Sequence, residues 1–275
     1  MLPRLLLGCL FTASLAQASI VPRSEHPVKL IEERSNGMTE ETFNRVLDQI
    51  EQLYGHTIFQ LGGDLSLQRY WSSSSVDAHS IQVNSKWIIR IFGGLARHPE
   101  MTPDGLALVV CHEIGHHLAG FPQLNDWSAS EGNADYFATQ TCLKKLWGKD
   151  PTGFGEPLPS RPAALCSEQS IWGGSFCARA MQASFRVASF LASLEGATID
   201  WNQPDSQIVS QTNLGYPTPQ CRLDTFVAGT LCERPSTENL IPWNEKELAA
   251  SSCHPSRFDR KGLRPSCWFK SHLSP

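Results

Sequence analysis

His112-Glu113-Ile114-Gly115-His116 places two imidazoles four residues apart, with a carboxylate beside the first. At about 3.6 residues per turn, positions i and i+4 share one helix face, so both Nε2 atoms can close on a single metal ion. Glu113 then lies near the ion without ligating it, where it can take a proton from water and pass it to a leaving amine. Two imidazoles and a neighbouring base point to Zn2+ and to a hydrolytic reaction. His117 follows directly and projects roughly 100° away around the helix, so it is expected to pack or support rather than to ligate.

These residues need a rigid helix, and the flanking sequence supplies one. Thr102 is a good N-cap, Pro103 suits the first helical position, Asp104 is an acid in the first turn, and an apolar run leads through Cys111 into the histidines. Gly120 offers a C-terminal stop. A second helix is expected near 129–147. From it Glu131 would be the third metal ligand, and Asp135, four residues later on the same face, would accept the free ring N–H of His112 and fix its tautomer. The plainer alternative makes Ser128 and Glu131 a capping box and Asp135 a solvated acid.

Three blocks of this sequence resemble the zinc metalloendopeptidases typified by the CAAX prenyl protease and the bacterial heat-shock peptidase HtpX. His112-Glu113-Ile114-Gly115-His116 is similar to the family's His-Glu-x-Gly-His, and Glu131-Gly132-Asn133-Ala134-Asp135 to its Glu-x-x-Ala-Asp, whose glutamate is the third zinc ligand. The family's later His-Pro-x-x-x-x-Arg has two counterparts. Tyr216-Pro217 followed by Arg222 keeps the proline-to-arginine spacing with tyrosine in place of histidine; His254-Pro255 followed by Arg260 keeps the histidine but lies further along the chain. The resemblance implies that Tyr216 or His254 stabilises the oxyanion of a tetrahedral intermediate, with Arg222 lining the site and Tyr216 and Arg222 preferred. It also implies a strand, here Lys86 to Leu95, along which an extended substrate could add by main-chain hydrogen bonds; a strand that simply completes a small sheet is the other reading. The similarity runs well over about residues 76–145.

The first residues, Met1 to Arg4, a short apolar stretch to Ala16, and Ala16-Gln17-Ala18 read as a signal peptide cleaved after Ala18. Its apolar part is too short to span a membrane. Cleavage removes Cys9 and leaves Cys111, Cys142, Cys166, Cys177, Cys221, Cys232, Cys253 and Cys267, an even set suited to disulfides in a secreted or periplasmic protein. Cys166 with Cys177 and Cys253 with Cys267 are reasonable loop staples. A helix from Cys221 to Cys232 would hold its ends roughly 16 Å apart and forbid that pair. Cys111 is expected to be buried or disulfide-bonded.

Removing Arg4 takes the formal charge from −4 to near −5. No basic patch suggests nucleic acid, and no later segment reads as a membrane span. Beyond a polar arm at 19–36, one domain is expected over 37–275. It would contain an amphipathic helix from Met38 to Tyr54 with Phe43, Val46, Leu47, Ile50 and Leu53 on one stripe, and short strands over 57–95. A glycine- and proline-rich loop at 148–174, a helix from Ser175 to Glu195, and an irregular disulfide-bonded tail from Pro242 complete it.

The expected fold is therefore α+β: a mainly helical, zincin-like metallopeptidase domain with a small sheet, stapled by disulfides. The expected function is an exported zinc metalloendopeptidase acting on protein or peptide substrates. Zinc would be held by His112, His116 and Glu131, Glu113 would be the general base, and Asp135 would orient a ligand. The alternative is a non-catalytic zinc-binding module that keeps the site for stability; hydrolysis of a non-peptide bond fits the same ligands.

Overall fold

The computed structural model describes residues 17–22, 28, 35–148, 157–168, 172–234 and 241–273. The apolar leader to Ala16 and most of the glycine- and proline-rich loop lie outside the described residues, as does most of the polar arm. Strand β1 (Gln17–Ser19) precedes helix α1 (Glu40–Gln60). The Thr39 side chain caps α1 by accepting from the Thr42 N–H, and Glu40 and Glu41 favour the positive end of the helix. Phe43, Val46, Leu47, Ile50, Tyr54 and Ile58 form its buried stripe. Each such side chain contributes about 1.5–3 kcal/mol of burial. The helix outruns the expected end at Tyr54 because Ile58 continues the stripe; Gly62, at φ +84°, then turns the chain. Leu53 is only half-buried.

Three strands follow: β2 (Asp64–Tyr70), β3 (Ala78–Val83) and β4 (Lys86–Phe92). The sheet order is β1-β3-β4-β2, with β2 parallel to β4 and the other pairs antiparallel. Trp87, Ile89 and Ile91 of β4 alternate into the core. Because β4 is paired on both sides, it has no free edge for an added strand. The edge nearer the histidines belongs to β3, and β1 lies on it. The reading of Lys86 to Leu95 as the substrate strand is corrected to this extent: its alternation marks a central strand, and the chain turns at Phe92 into the short helix α2 (Gly93–Ala96).

Helix α3 (Pro103–Leu118) runs through the middle of the molecule, buried from Gly105 onward. Its start follows the sequence: Thr102 Oγ1 accepts from the Gly105 N–H at 3.0 Å, with Pro103 in the first turn. Helix α4 (Glu131–Phe137) passes through a single π-helical turn (Ala138–Cys142) into α5 (Leu143–Trp147). Helices α6 (Ser160–Ser167), α7 (Gly173–Glu195) and α8 (Pro219–Leu231) follow. The tail, expected to be irregular, carries helix α9 (Glu245–Ser251) and a 3-10 turn at Pro255–Arg257. Among the described residues no helix is long and apolar enough to cross a membrane.

Four disulfides join Cys111–Cys142, Cys166–Cys177, Cys221–Cys267 and Cys232–Cys253. The Cys166–Cys177 staple forms as expected, and the ends of α8 do not bond to each other. The expected Cys253–Cys267 pair does not form. Helix α8 presents Cys221 and Cys232 at opposite ends, and each end takes a different part of the tail. The fold is thus α+β, with a small mixed sheet set against helices and four covalent staples, a pattern suited to an oxidising compartment.

Candidate metal centre

Helices α3 and α4 approach closely because position 115 is glycine. A Cβ there would lie 2.9 Å from the Ala134 carbonyl oxygen and 3.0 Å from the Ala134 Cα. The Cys111–Cys142 disulfide ties α3 to the turn beyond α4, one residue before His112. This clamp brings His112 and His116 against Glu131, all of them buried.

The two Nε2 atoms lie 3.0 Å apart. Glu131 Oε2 is 3.3 Å from His112 Nε2, and Glu131 Oε1 is 3.6 Å from His116 Nε2. Atoms about 2.0–2.1 Å from a zinc ion at tetrahedral angles stand roughly 3.3–3.4 Å from each other, so separations of 3.0, 3.3 and 3.6 Å bracket what a shared ion would need. The other ring nitrogens fix the tautomers. His112 Nδ1 donates to Asp135 Oδ1 at 2.8 Å, and His116 Nδ1 donates to the Ala129 carbonyl at 3.0 Å. In the neutral tautomers that could ligate a metal, both Nε2 lone pairs would face each other and the Glu131 carboxylate. Glu131 Oε2 is fully buried and accepts no hydrogen bond, with the Arg222 guanidinium 3.7 Å away as its nearest fixed cation. A buried carboxylate oxygen with no donor is costly unless a cation completes it.

Glu113 also offers an oxygen within 4.8 Å of the histidine nitrogens. Its oxygens are already engaged, however: Oε2 accepts from the Ser80 hydroxyl at 2.7 Å and Oε1 from the Ile20 backbone N–H at 3.1 Å. Both carboxylates thus stand at the two imidazoles, and they differ in that Glu113 accepts hydrogen bonds on both oxygens whereas Glu131 Oε2 accepts none.

The electrostatics follow from burial and these pairs. Burial disfavours the imidazolium of His112, but Asp135 and Glu131 outweigh it and hold its pKa up to about 9. Burial and the adjacent His112 keep His116 well below the usual histidine value. Burial pushes Glu113 up to about 8 against the pull of His112 and Ser80. Asp135 stays below the usual carboxylate value, since Arg222 and His112 overcome its burial.

Arg222 is buried and grips Asp135 with two hydrogen bonds, Nε to Oδ2 and Nη2 to Oδ1, both 2.7 Å. Its Nη1 donates to the Ile20 carbonyl at 2.7 Å. Tyr216, half-exposed ahead of α8, lies near enough to act on the Arg222 charge. His254 is elsewhere: its Nε2 is 3.1 Å from Glu245 Oε1 and its Nδ1 2.8 Å from Ser256 Oγ. The structure thus gathers His112, Glu113, His116, Glu131, Asp135 and Arg222, with Tyr216 at the margin, and keeps His254 in a separate cluster. His117 is sandwiched between Trp87 and Trp127. Ser128 reaches His116 Nδ1 at 3.3 Å, and the residue before α4 is Ser130, which makes no side-chain cap.

Sequence reasoning missed Ser80 and Ile20. Ser80 sits mid-strand on β3, where one small polar residue carries no periodic signal, and Ile20 belongs to a segment read as a solvated arm.

No protein-family model, no curated protein and no solved structure matches this chain.

Proposed function

We propose that this protein is an exported, zinc-dependent peptidase of zincin-like fold, with the metal held by His112, His116 and Glu131. The observation that carries the reading is the buried, donorless Glu131 Oε2 beside two converging imidazole nitrogens, with a fourth buried group, Glu113, positioned as a base. The resemblance to the CAAX prenyl protease and HtpX metalloendopeptidases supports it, because the same five residues fill the family's roles. A zinc ion in this set would supply Lewis acidity, polarising a carbonyl and acidifying water.

The side chains divide the remaining work. Glu113 takes a proton from the attacking water and returns it to the amine nitrogen as the C–N bond breaks, a role suited to a carboxylate whose burial raises its proton affinity. Ser80 orients Glu113. Asp135 holds His112 in the ligating tautomer, and Arg222 holds Asp135. Arg222, whose Nη1 donates to the Ile20 main-chain carbonyl, and Tyr216 at the margin are the groups that would meet a substrate carbonyl.

The test is zinc content by mass spectrometry together with cleavage of denatured casein. Wild type is expected to carry one zinc and to cut casein in a chelator-sensitive way. Glu113→Gln should keep the metal and lose cleavage, and His116→Ala should lose both. Hydrolysis by pure Glu113→Gln protein would sink the mechanism. A second reading, a zinc-binding module without catalysis, draws on one observation: both oxygens of Glu113 are occupied, one of them by the chain's own backbone. One zinc and no cleavage under any condition would favour it.

A further inference from the structure

The backbone that occupies Glu113 belongs to β1 and the two residues after it. Gln17, Ala18 and Ser19 pair antiparallel with Ile81, Ser80 and His79 on the outer edge of β3. The Ile20 N–H continues the ladder to the Ala78 carbonyl at 3.3 Å and is shared with Glu113 Oε1 at 3.1 Å. On the far side of the same residue, the Ile20 carbonyl accepts from Arg222 Nη1 at 2.7 Å. The Ile20 side chain is fully buried in the main core, and Val21 packs on that core from a half-buried position. Ser19 anchors the segment through its hydroxyl, 2.9 Å from Asp77 Oδ1 and 3.0 Å from the Ala78 carbonyl.

These contacts describe an extended peptide added to a sheet edge and laid across the base of the site, held by main-chain atoms, the Ser19 hydroxyl and one buried aliphatic side chain. Resting on the peptidase reading, we infer that the groove between β3, α3 and α8 is the site's peptide-binding groove, that Ser19–Val21 is its intramolecular occupant, and that Ile20 sits where the residue after a scissile bond lies. The assignment follows from atom roles. The nitrogen that must receive a proton when a peptide bond breaks is the one held on the proton-carrying carboxylate, and here that nitrogen is Ile20 N. The substrate class is an extended peptide with an aliphatic residue at this position. Proline is excluded there, because it has no N–H for Ala78 and Glu113.

The consequence is latency. A tethered occupant competes at an effective concentration on the order of millimolar, so an outside peptide of micromolar affinity binds the unaltered chain roughly a hundredfold to a thousandfold more weakly. Removal of a leader that ends at Ala18 would take the Gln17 and Ala18 pairs and leave the contacts of Ser19 and Ile20.

The test compares the processed wild-type protein with Ile20→Glu, which cannot bury the occupant, and with Ile20→Val, which can. A fluorescent peptide of sequence QASIVP is titrated by polarisation in the presence of chelator, so that cutting does not interfere. It should bind Ile20→Glu on the order of a hundredfold more tightly than wild type or Ile20→Val. Equal binding by all three, or none by a folded Ile20→Glu, would overturn the inference. Should Ile20→Glu fail to fold, amide hydrogen exchange on wild type decides: millimolar unlabelled QASIVP should speed exchange at residues 20–21 and leave α3 protected, and no change sinks the inference. Zinc-loaded casein assays separate this from the peptidase reading. Peptide binding with no cleavage by any variant retains the groove and removes the peptidase. Cleavage equal in all variants, with no peptide binding, does the reverse.

Discussion

The molecule buries histidine beside glutamate in two places, and the two differ in how completely they are satisfied. Around His254 every polar atom has a partner: Ser256 on Nδ1, Glu245 on Nε2, and the His272 N–H on both Glu245 oxygens at 3.0 and 3.1 Å. Around His112 and His116 the outer nitrogens are equally well held by Asp135 and Ala129, yet the inner nitrogens have only each other, 3.0 Å apart, and Glu131 Oε2 accepts no hydrogen bond, with Arg222 Nη2 3.7 Å away. A finished network fixes the chain, whereas an unfinished one facing inward is what the proposed metal would complete. His-Pro spacing alone could not separate the two histidine clusters. Counting donors and acceptors does.

The sharpest way to break this contrast is to delete one histidine from each cluster and weigh the metal. His116→Ala should abolish zinc binding, while His254→Ala should leave one zinc per chain. Zinc lost from both would mean that the tail cluster shapes the metal pocket. A subtler change reaches the pocket through its support: Asp135→Asn should retain zinc but weaken it about 10–100-fold in chelator competition. It should also lower the thermal midpoint, because Arg222 loses its carboxylate. In the finished cluster the cost is to stability alone, and His254→Ala should destabilise folding by about 1–3 kcal/mol in denaturant titration through the unpaired groups it leaves.

The mildest test concerns Lys144, a buried cation whose amine donates to the Gly229 carbonyl at 3.2 Å and to the Cys232 carbonyl. Burial pulls its pKa down from 10.5 to about 7, with Glu233 opposing. Between those values the unfolded chain binds a proton that the folded chain lacks, so stability should rise with pH across that window and level off below it. The slope from this group is at most about 1.4 kcal/mol per pH unit. Lys144→Met should flatten that rise in melts recorded across the same range.

The parts legible in the sequence are those set by local periodicity. The cap at Thr102, the run into His112, the one-turn spacing to His116 and the four-residue step from Glu131 to Asp135 each need only one helix to be read, and the structure places all four as the spacing requires. What stayed hidden depends on which distant segments meet. Ser80 reaches Glu113 across the sheet, Ile20 comes from a segment whose composition reads as solvated, and the partners of Cys253 and Cys267 were decided by the two ends of α8. The strand from Lys86 forms where the alternation puts it and completes a small sheet, but alternation does not say whether its edge is free for a substrate.

The bridge between Cys111 and Cys142 has a consequence for the order in which the protein matures. It makes the spacing of the two ligand-bearing helices a covalent property of the oxidised chain rather than something the ion must impose. In a reducing compartment that covalent tie is absent, so on the proposed zinc reading metal loading is expected to follow oxidation of the chain. On the same reading, an oxidised chain stripped by chelator should keep the mould of its pocket and refill without refolding.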